Sequence, residues 1–497
     1  MKPKLPVALH IVAGGCEDIS WTRHSRSAGQ PDFVTVHSGP LHIGFELVPC
    51  GGPMLVIAAL LVAGLADAGR VPRLPLNGDL LCPPGYGCPP GFCCNSGGAC
   101  TLECAPGQFV FPRLSDVEGE LVLDAKPDPH VANVVSRSTG GVLLAYWSMA
   151  FLAVTPPEDI PADLLTHIVY TFARVDANFQ IFPDSAVDVN VANPEQGMYR
   201  RIITSAKRKN PDVKVLLSIG GPAQNAAGSP TQNVLSTMVS TRENRATFIA
   251  NLMAWVRLHA FDGFDIDWEF PGDPKLGGLP DDKANFVMLL AEIHEALDAD
   301  ERAGNPRMLC TLALIPSPSL IAYGYDLARL HNHVDWINIM LYELHYSIST
   351  TTAPHSALYN NRIAGDIQES LFQFDMVPAD KIVAGLGLFA KAFKLAPGST
   401  CAYGQAALGF TEELLYSEVV DALATDANLV EYHDANTATS YFCRGGVLYT
   451  YDSADDVAAQ VHWLRGHGLK GIFIWTVNCD TKGTYPLTNI IRRGLSI

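Results

Sequence analysis

Residues 261–272 read FDGFDIDWEFPG. Asp262, Asp265, Asp267 and Glu269 fall close together among apolar and aromatic residues that belong in an interior. Side chains alternate faces along a strand. Asp265, Asp267 and Glu269 therefore share one face, and Phe264, Ile266 and Trp268 share the other. The apolar set suits a surrounding layer of helices, which leaves the carboxylates lining an interior about 6–7 Å apart. Pro271-Gly272 is expected to end the strand just after Glu269. Three anions stacked in a low-dielectric interior oppose each other's ionisation, so at least one should hold its proton near neutral pH. A protonated carboxyl at a solvent-reachable strand end is a general acid. The competing reading is a buried structural carboxylate set satisfied by backbone and hydroxyl groups. A ladder that ends at the strand end argues for chemistry instead.

The same texture recurs on both sides of this stretch. Apolar runs lie at 142–147 (VLLAYW), 166–173 (THIVYTFA), 213–221 (VKVLLSIGG), 261–270, 308–315 (MLCTLALI), 334–342 (VDWINIMLY), 381–390 (KIVAGLGLFA) and 470–477 (KGIFIWTV). Amphipathic stretches such as 243–260 and 282–299 separate many of them. Near-continuous apolar strands alternating with helices indicate parallel strands covered on their outer side. Eight such units predict an α/β chain folded as a (β/α)8 barrel, whose chemistry sits at the C-terminal mouth of the strands. The interval between the seventh and eighth runs is too long for one helix. A small α+β insertion is expected at about 391–452, with a helix at 411–424, strands near 440–450 and a further helix at 454–467.

Composition narrows the function. Hydrophobic residues make up 48% of the 497 and charged residues 17%, enough for a large core. The net charge is −17, from 34 Lys+Arg against 51 Asp+Glu. That balance argues against nucleic acid or an anionic membrane as partner. No P-loop or dinucleotide fingerprint is present, and no cofactor is expected.

The first 140 residues read differently. Residues 54–68, MLVIAALLVAGLADA, form a short apolar run ending in Ala66-Asp67-Ala68, the pattern of a secretory signal. The run is too short for a transmembrane helix. It begins at Met54, so residues 1–53 are unassigned and are expected to lie outside the mature protein; a buried apolar helix is the alternative. Cys82, Cys88, Cys93, Cys94, Cys100 and Cys104 follow within a Pro- and Gly-rich stretch that cannot pack a core. Three disulfides are expected there, in any of 15 pairings, and a zinc site is disfavoured because no histidine is near. The module spans 69–108 and a linker 109–140, leaving 141–497 for the barrel. Cys401 and Cys443 are candidates to clip one loop-rich region. Secretion into the extracellular space follows from both features, and a monomer is expected.

DGFDIDWE resembles the D-x-x-D-x-D-x-E signature of family 18 glycoside hydrolases, the chitinases. LLSIGG (216–221) is similar to the family's third-strand S-x-G-G motif, INIMLYEL (337–344) to its sixth-strand M-x-Y-D motif, and GIFIWTVNCD (471–480) to its eighth-strand G-x-x-x-W segment. The resemblance covers about 141–495. It implies that Glu269 protonates the glycosidic oxygen and later acts as base. It implies that Asp267 holds the sugar's 2-acetamido group, whose carbonyl attacks the anomeric carbon to give an oxazolinium ion. This is the substrate-assisted exception among glycosidases. Asp265 would share a proton with Asp267, and Asp262 would be structural. Tyr342 would donate to the acetamido oxygen. Trp475 would floor the cleft, with Tyr146, Phe172 and Met340 as walls, because sugar faces stack on rings.

Three positions depart from the family pattern. Glu343 stands where Asp is usual, Phe389-Ala390-Lys391 where Tyr-Gly-Arg is common, and Pro222 where Trp often follows S-x-G-G. Glu343 and Lys391 remain substrate-binding candidates, with a point charge replacing a guanidinium fork. A working endo-acting enzyme with a shorter or weaker glycone-side cleft is expected, acting on chitin or chito-oligosaccharides. Cys88-x4-Cys93-Cys94-x5-Cys100 is similar to the central spacing of hevein-like chitin-binding domains, without their sugar-stacking rings. The pairing of that module with a barrel resembles the killer-toxin-like fungal chitinases. The alternatives are a chitin lectin on the same barrel and an endo-β-N-acetylglucosaminidase acting on N-glycans.

Overall fold

The computed structural model describes residues 141–190, 197–345, 349–359 and 365–497, and the backbone of six short strands between residues 20 and 101. The chain divides into two units, Met1–Lys126 and Pro127–Ile497. In the first, Ser20–His24, Phe33–Ser38 and Leu41–Glu46 form one three-stranded sheet, and Leu80–Leu81, Ala99–Thr101 and Cys93–Cys94 another. The expected signal segment at 54–68, the pairing of the six clustered cysteines and the linker at 109–140 lie outside the described residues.

The second unit is built on eight parallel strands. They are β1 (Val142–Ser148), β2 (His167–Val175), β3 (Lys214–Gly220), β4 (Gly263–Asp267), β5 (Leu309–Leu314), β6 (Trp336–Ile339), β7 (Ile382–Gly387) and β8 (Gly471–Trp475). Each pairs with the next, and β8 pairs with β1 to close the ring. This is the predicted barrel, with all eight apolar runs on strands.

The alternation of side chains separates two cores. Phe264, Ile266 and Trp268 join the layer between strands and helices, where Trp268 meets Phe286 edge-on at 5.3 Å. Val142, Leu144, Tyr146, Val169, Leu216, Val383 and Phe473 pack together as a separate cluster inside the ring. Helix Arg242–Leu258 contributes Phe248, Ile249, Leu252 and Val256 to the outer layer, at the spacing of one helical face. Its start is fixed by Thr241, whose hydroxyl accepts from the Asn244 amide at 3.2 Å.

One connection lacks the helix of a regular β/α unit, and one local expectation needs correction. The β1–β2 connection forms a 3-10 turn at Met149–Phe151 and no α-helix. Pro156, Pro157 and Pro161 interrupt it, and each removes a backbone donor a helix would need. The stretch 411–424, expected to be helical throughout, splits into strand Ala407–Leu415 and helix Tyr416–Thr425. Pairing of 407–415 with Phe389–Leu395 overrides the helix propensity of its Glu and Leu residues.

Between β7 and β8 the chain forms a five-stranded antiparallel sheet, which adds Tyr432–Asp434, Thr439–Arg444 and Val447–Tyr451 to those two strands. Cys401 and Cys443 are bonded and fasten the 396–406 loop to it. Helix Ala454–Gly466 follows, started by Ser453 and Asp456 capping each other. Among the described residues, no helix is long and apolar enough to cross a membrane.

Candidate active site

The site forms where β3 and β4 end together. Gly220 has φ +116°, and a Cβ on it would overlap the Asp267 carbonyl oxygen. Gly221 has φ +76°, and a Cβ there would collide with the Phe172 ring. Both conformations suit glycine alone. The pair lets the Gly221 amide donate to the Asp267 carbonyl at 2.8 Å and lets Phe172 lie over the strand ends. That is the physical content of the LLSIGG motif.

Strand β4 ends at Asp267, two residues before Glu269 and earlier than the sequence pattern suggested. Gly272 (φ +73°) turns the chain immediately beyond. Buried Asp282 then accepts from the Gly272 amide at 3.1 Å, the Leu279 amide at 2.7 Å and the Ser236 hydroxyl at 2.7 Å. One carboxylate thus fixes the loop that carries Glu269 to its mouth position. The peptide bonds 171–172, 269–270 and 475–476 are cis.

Asp265 is fully enclosed in the barrel. It accepts from the hydroxyls of Tyr146 at 3.0 Å, Ser218 at 3.0 Å and Thr311 at 2.5 Å, and from the Asn338 amide at 3.1 Å. Trp336 donates to Asn338 at 3.0 Å, which fixes that amide's orientation. Burial raises the Asp265 pKa, and the donors oppose the rise. Four donors around one carboxylate are what a buried anion requires.

Asp267 has no comparable support. It is buried, and its Oδ1 finds no hydrogen-bond partner. Burial, then the negative charges of Glu269 and Asp265, hold its pKa well above the usual carboxylate range. Glu269 is half-buried at the mouth, and burial followed by the Glu343 carboxylate pushes it up to about 7. Two carboxyls whose pKa values are raised by burial and neighbouring negative charge sit above one held by four donors. Asp262, at the opposite end of β4, pairs with Lys207 at 2.8 Å and accepts from the Val215 amide at 2.8 Å, in a structural position.

Trp475, Phe172 and Met340 are half-buried around the mouth, with the Phe172 and Trp475 rings 6.0 Å apart and 30° from parallel. Tyr342 is nearly buried and meets Phe389 and Phe473 edge-on. Tyr146 is not a wall. It is only 2% exposed, packs against Trp475 at 5.5 Å from within, and commits its hydroxyl to Asp265. An aromatic at a strand end reads the same from sequence whether it faces solvent or the barrel axis.

The β6 loop meets the inserted sheet here. Lys391 Nζ bonds Glu343 Oε1 at 2.8 Å and Glu413 Oε1 at 2.8 Å, and lies 4.5 Å from the Phe410 ring centroid. Burial works against the lysine's charge, but the two carboxylates outweigh it and raise its pKa. Glu413 and the donors Ser218, Thr311 and Asn338 are absent from the sequence prediction. The last three were legible: each is a polar residue inside an otherwise apolar strand core, at an inward position. Glu413 carried no such signal.

Fold and site together define a carboxylate-bearing (β/α)8 barrel with half-buried aromatics at its mouth. The chain belongs to the glycosyl hydrolases family 18, whose model matches residues 142–480. It is 28% identical over 367 residues to Chitotriosidase-1 of Mus musculus, covering 69% of this chain and 74% of that one. It is 26% identical over 365 residues to a Probable endochitinase of Caenorhabditis elegans, covering 68% of this chain and 57% of that longer relative. The chain thus spans little more than half of the nematode protein. Among solved structures it resembles a family 18 chitinase from Cycas revoluta in complex with (GlcNAc)3. Identity there is 25% and the TM-score 0.61, covering 71% of this chain and 99% of that one.

Proposed function

We propose that this protein is a secreted chitinase that cleaves β-1,4 bonds between N-acetylglucosamine units with retention. The observation that carries the reading is the pairing of Glu269, a mouth carboxyl whose pKa burial and Glu343 push up to about 7, with Asp267, whose buried Oδ1 is unpartnered. Glu269 gives its proton to the glycosidic oxygen as the bond to the anomeric carbon breaks. Asp267 Oδ1 accepts the acetamido N–H, which directs the acetamido carbonyl oxygen onto that carbon. Tyr342 donates to the acetamido group, and Trp475 supports the sugar face. Glu269, now ionised, takes a proton from water as the water opens the oxazolinium ring. Asp265 keeps its four donors, and its negative charge adds to the burial that raises the Asp267 pKa.

The partner is chitin or a chito-oligosaccharide, as the oligosaccharide in the Cycas revoluta complex supports. A second reading, a chitin lectin on the same barrel, draws on the Lys391 ammonium, which two protein carboxylates already engage. A fluorogenic chitotrioside assay on wild type and Glu269→Gln separates the two. Release of fluorophore by wild type and not by the variant supports hydrolysis. Binding of chitotriose without turnover by wild type assigns the lectin.

A further inference from the structure

We propose that His355 is the positioning residue that holds Tyr342 and Glu343, two neighbours at the candidate site, in their working geometry. The inference rests on reading Glu269 as the general acid.

His355 follows the β6 loop and is fully buried. Its Nε2 lies 3.2 Å from the Phe389 carbonyl oxygen. A carbonyl only accepts, so Nε2 carries the proton and Nδ1 is bare. The bare Nδ1 lies 3.5 Å from the Glu343 amide nitrogen, which donates to it. The His355 carbonyl accepts from the Leu344 amide at 2.8 Å. One residue therefore takes two successive amides of the β6 loop. Glu343 has φ +54°, a left-handed conformation that a non-glycine residue adopts only when its surroundings impose it.

The ring acts on Tyr342 by a second route. It stacks on Phe389, centroids 4.9 Å apart and 23° from parallel. Phe389 meets Tyr342 edge-on at 6.0 Å. Gly387 makes room for this contact, since a Cβ there would press on both the Phe389 ring and Tyr342 Cβ. The imidazole thus anchors on the inserted sheet and steers both site residues.

The charged and titratable groups around His355 are Lys391 and His345. Burial first, then the Lys391 charge, pushes its pKa down to about 3, so the tautomer persists through the working range. Glu269 is faced by Asp267 from the end of β4, Tyr325 beyond β5, and Tyr342 and Glu343 beyond β6. Glu343 is in turn held by Lys391. A Glu343 that drifts from its place relieves the repulsion on Glu269, which then loses its proton at lower pH.

The test uses the full chain and chitotrioside. Gln at 355 reproduces the Nε2 donor and lacks the Nδ1 acceptor; Asn does the reverse. His355→Gln is expected to move the alkaline limb of kcat/KM to lower pH by about half a unit and to lower kcat several-fold. His355→Asn is expected to restore the limb. Unchanged limbs and rates in both variants overturn the proposal. Where a variant fails to fold, 15N shifts of the wild-type imidazole decide: a neutral Nε2–H tautomer at pH 5 supports it, and an Nδ1–H or imidazolium form overturns it. A wild type that does not cleave chitotrioside refutes the hydrolase reading, while the tautomer measurement still tests the positioning.

Discussion

The Tyr146 hydroxyl donates to Asp265 Oδ2 across the inside of the barrel, 3.0 Å away and 119 residues apart in sequence. The Tyr146 hydroxyl oxygen in turn accepts from Asn338 Nδ2 at 3.1 Å, so strands β1, β4 and β6 are tied at one point. Tyr146→Phe keeps the ring and removes the donor. A buried charged acceptor that loses one of four donors should cost about 1–3 kcal/mol. The urea midpoint is expected to fall accordingly, with a several-fold drop in kcat. An unchanged midpoint would show that the other three donors suffice.

Asp267 and Glu269 bind protons more tightly in the folded chain than in the unfolded one, because burial raises both pKa values. The unfolded carboxyls titrate near pH 4. The folded Glu269 titrates near 7, so its stabilising contribution is complete below about pH 4 and is lost as pH rises through 7. Asp267, raised well above its usual range, acts in the same direction. Asp267→Asn removes one of the opposed charges. We expect it to raise stability above pH 7 by at least about 1 kcal/mol and to flatten the decline. Catalysis should fall by at least about a hundredfold. Thermal melts across pH 4–9 decide; a steeper decline in the variant counts against the protonation order.

Activity that requires protonated Glu269 should show an alkaline limb near pH 7 in kcat/KM. After burial, the Glu343 carboxylate is the cause of that elevation. Glu343→Gln should therefore move the limb to lower pH and leave Lys391 to Glu413 alone. A limb that stays in place would assign the elevation to burial only.

The eight strands were legible because each is a continuous apolar run with a turn signal behind it, and a barrel buries strands on both sides. Asp265, Asp267 and Glu269 were legible because acidic residues at alternate positions contradict such a run. What stayed hidden depends on contacts distant in sequence. Tyr146 was placed in the cleft because no local pattern distinguishes the barrel axis from its mouth. Glu413 lies on strand 407–415, whose Glu-Glu-Leu-Leu composition suggested a helix until pairing with 389–395 was seen. His355 showed no periodic signal, since its role comes from a loop folded over Phe389.

Gly220→Ala tests the junction of β3 and β4. The added Cβ would overlap the Asp267 carbonyl oxygen, and φ +116° is unfavourable for alanine. Neither backbone can yield, because the strands pair in register up to Gly220 and Asp267. A loss above about 3 kcal/mol is expected, measured by urea unfolding. Loss of activity with native stability would instead mean that the strand ends separate locally.

The Cys401–Cys443 bond joins residues 42 positions apart, within the inserted sheet. Chain entropy alone assigns such a closure about 4 kcal/mol. Its effect should reach the site, because the clamped loop also holds the β6 loop. Thr352 donates through Oγ1 to the Ala402 carbonyl at 2.8 Å and through its amide to the Gln405 carbonyl at 2.9 Å. Gly404 returns a bond to the Thr352 carbonyl at 2.8 Å. Thr351 in turn accepts from His345 Nε2, three residues beyond Tyr342. Cys443→Ser should thus leave the barrel folded while hydrogen exchange accelerates in 396–406 and 349–352. KM for chitotrioside should rise more than kcat falls, since the loosened loop weakens binding before it alters Glu269. Acceleration confined to 396–406, with KM unchanged, would separate the disulfide from the site.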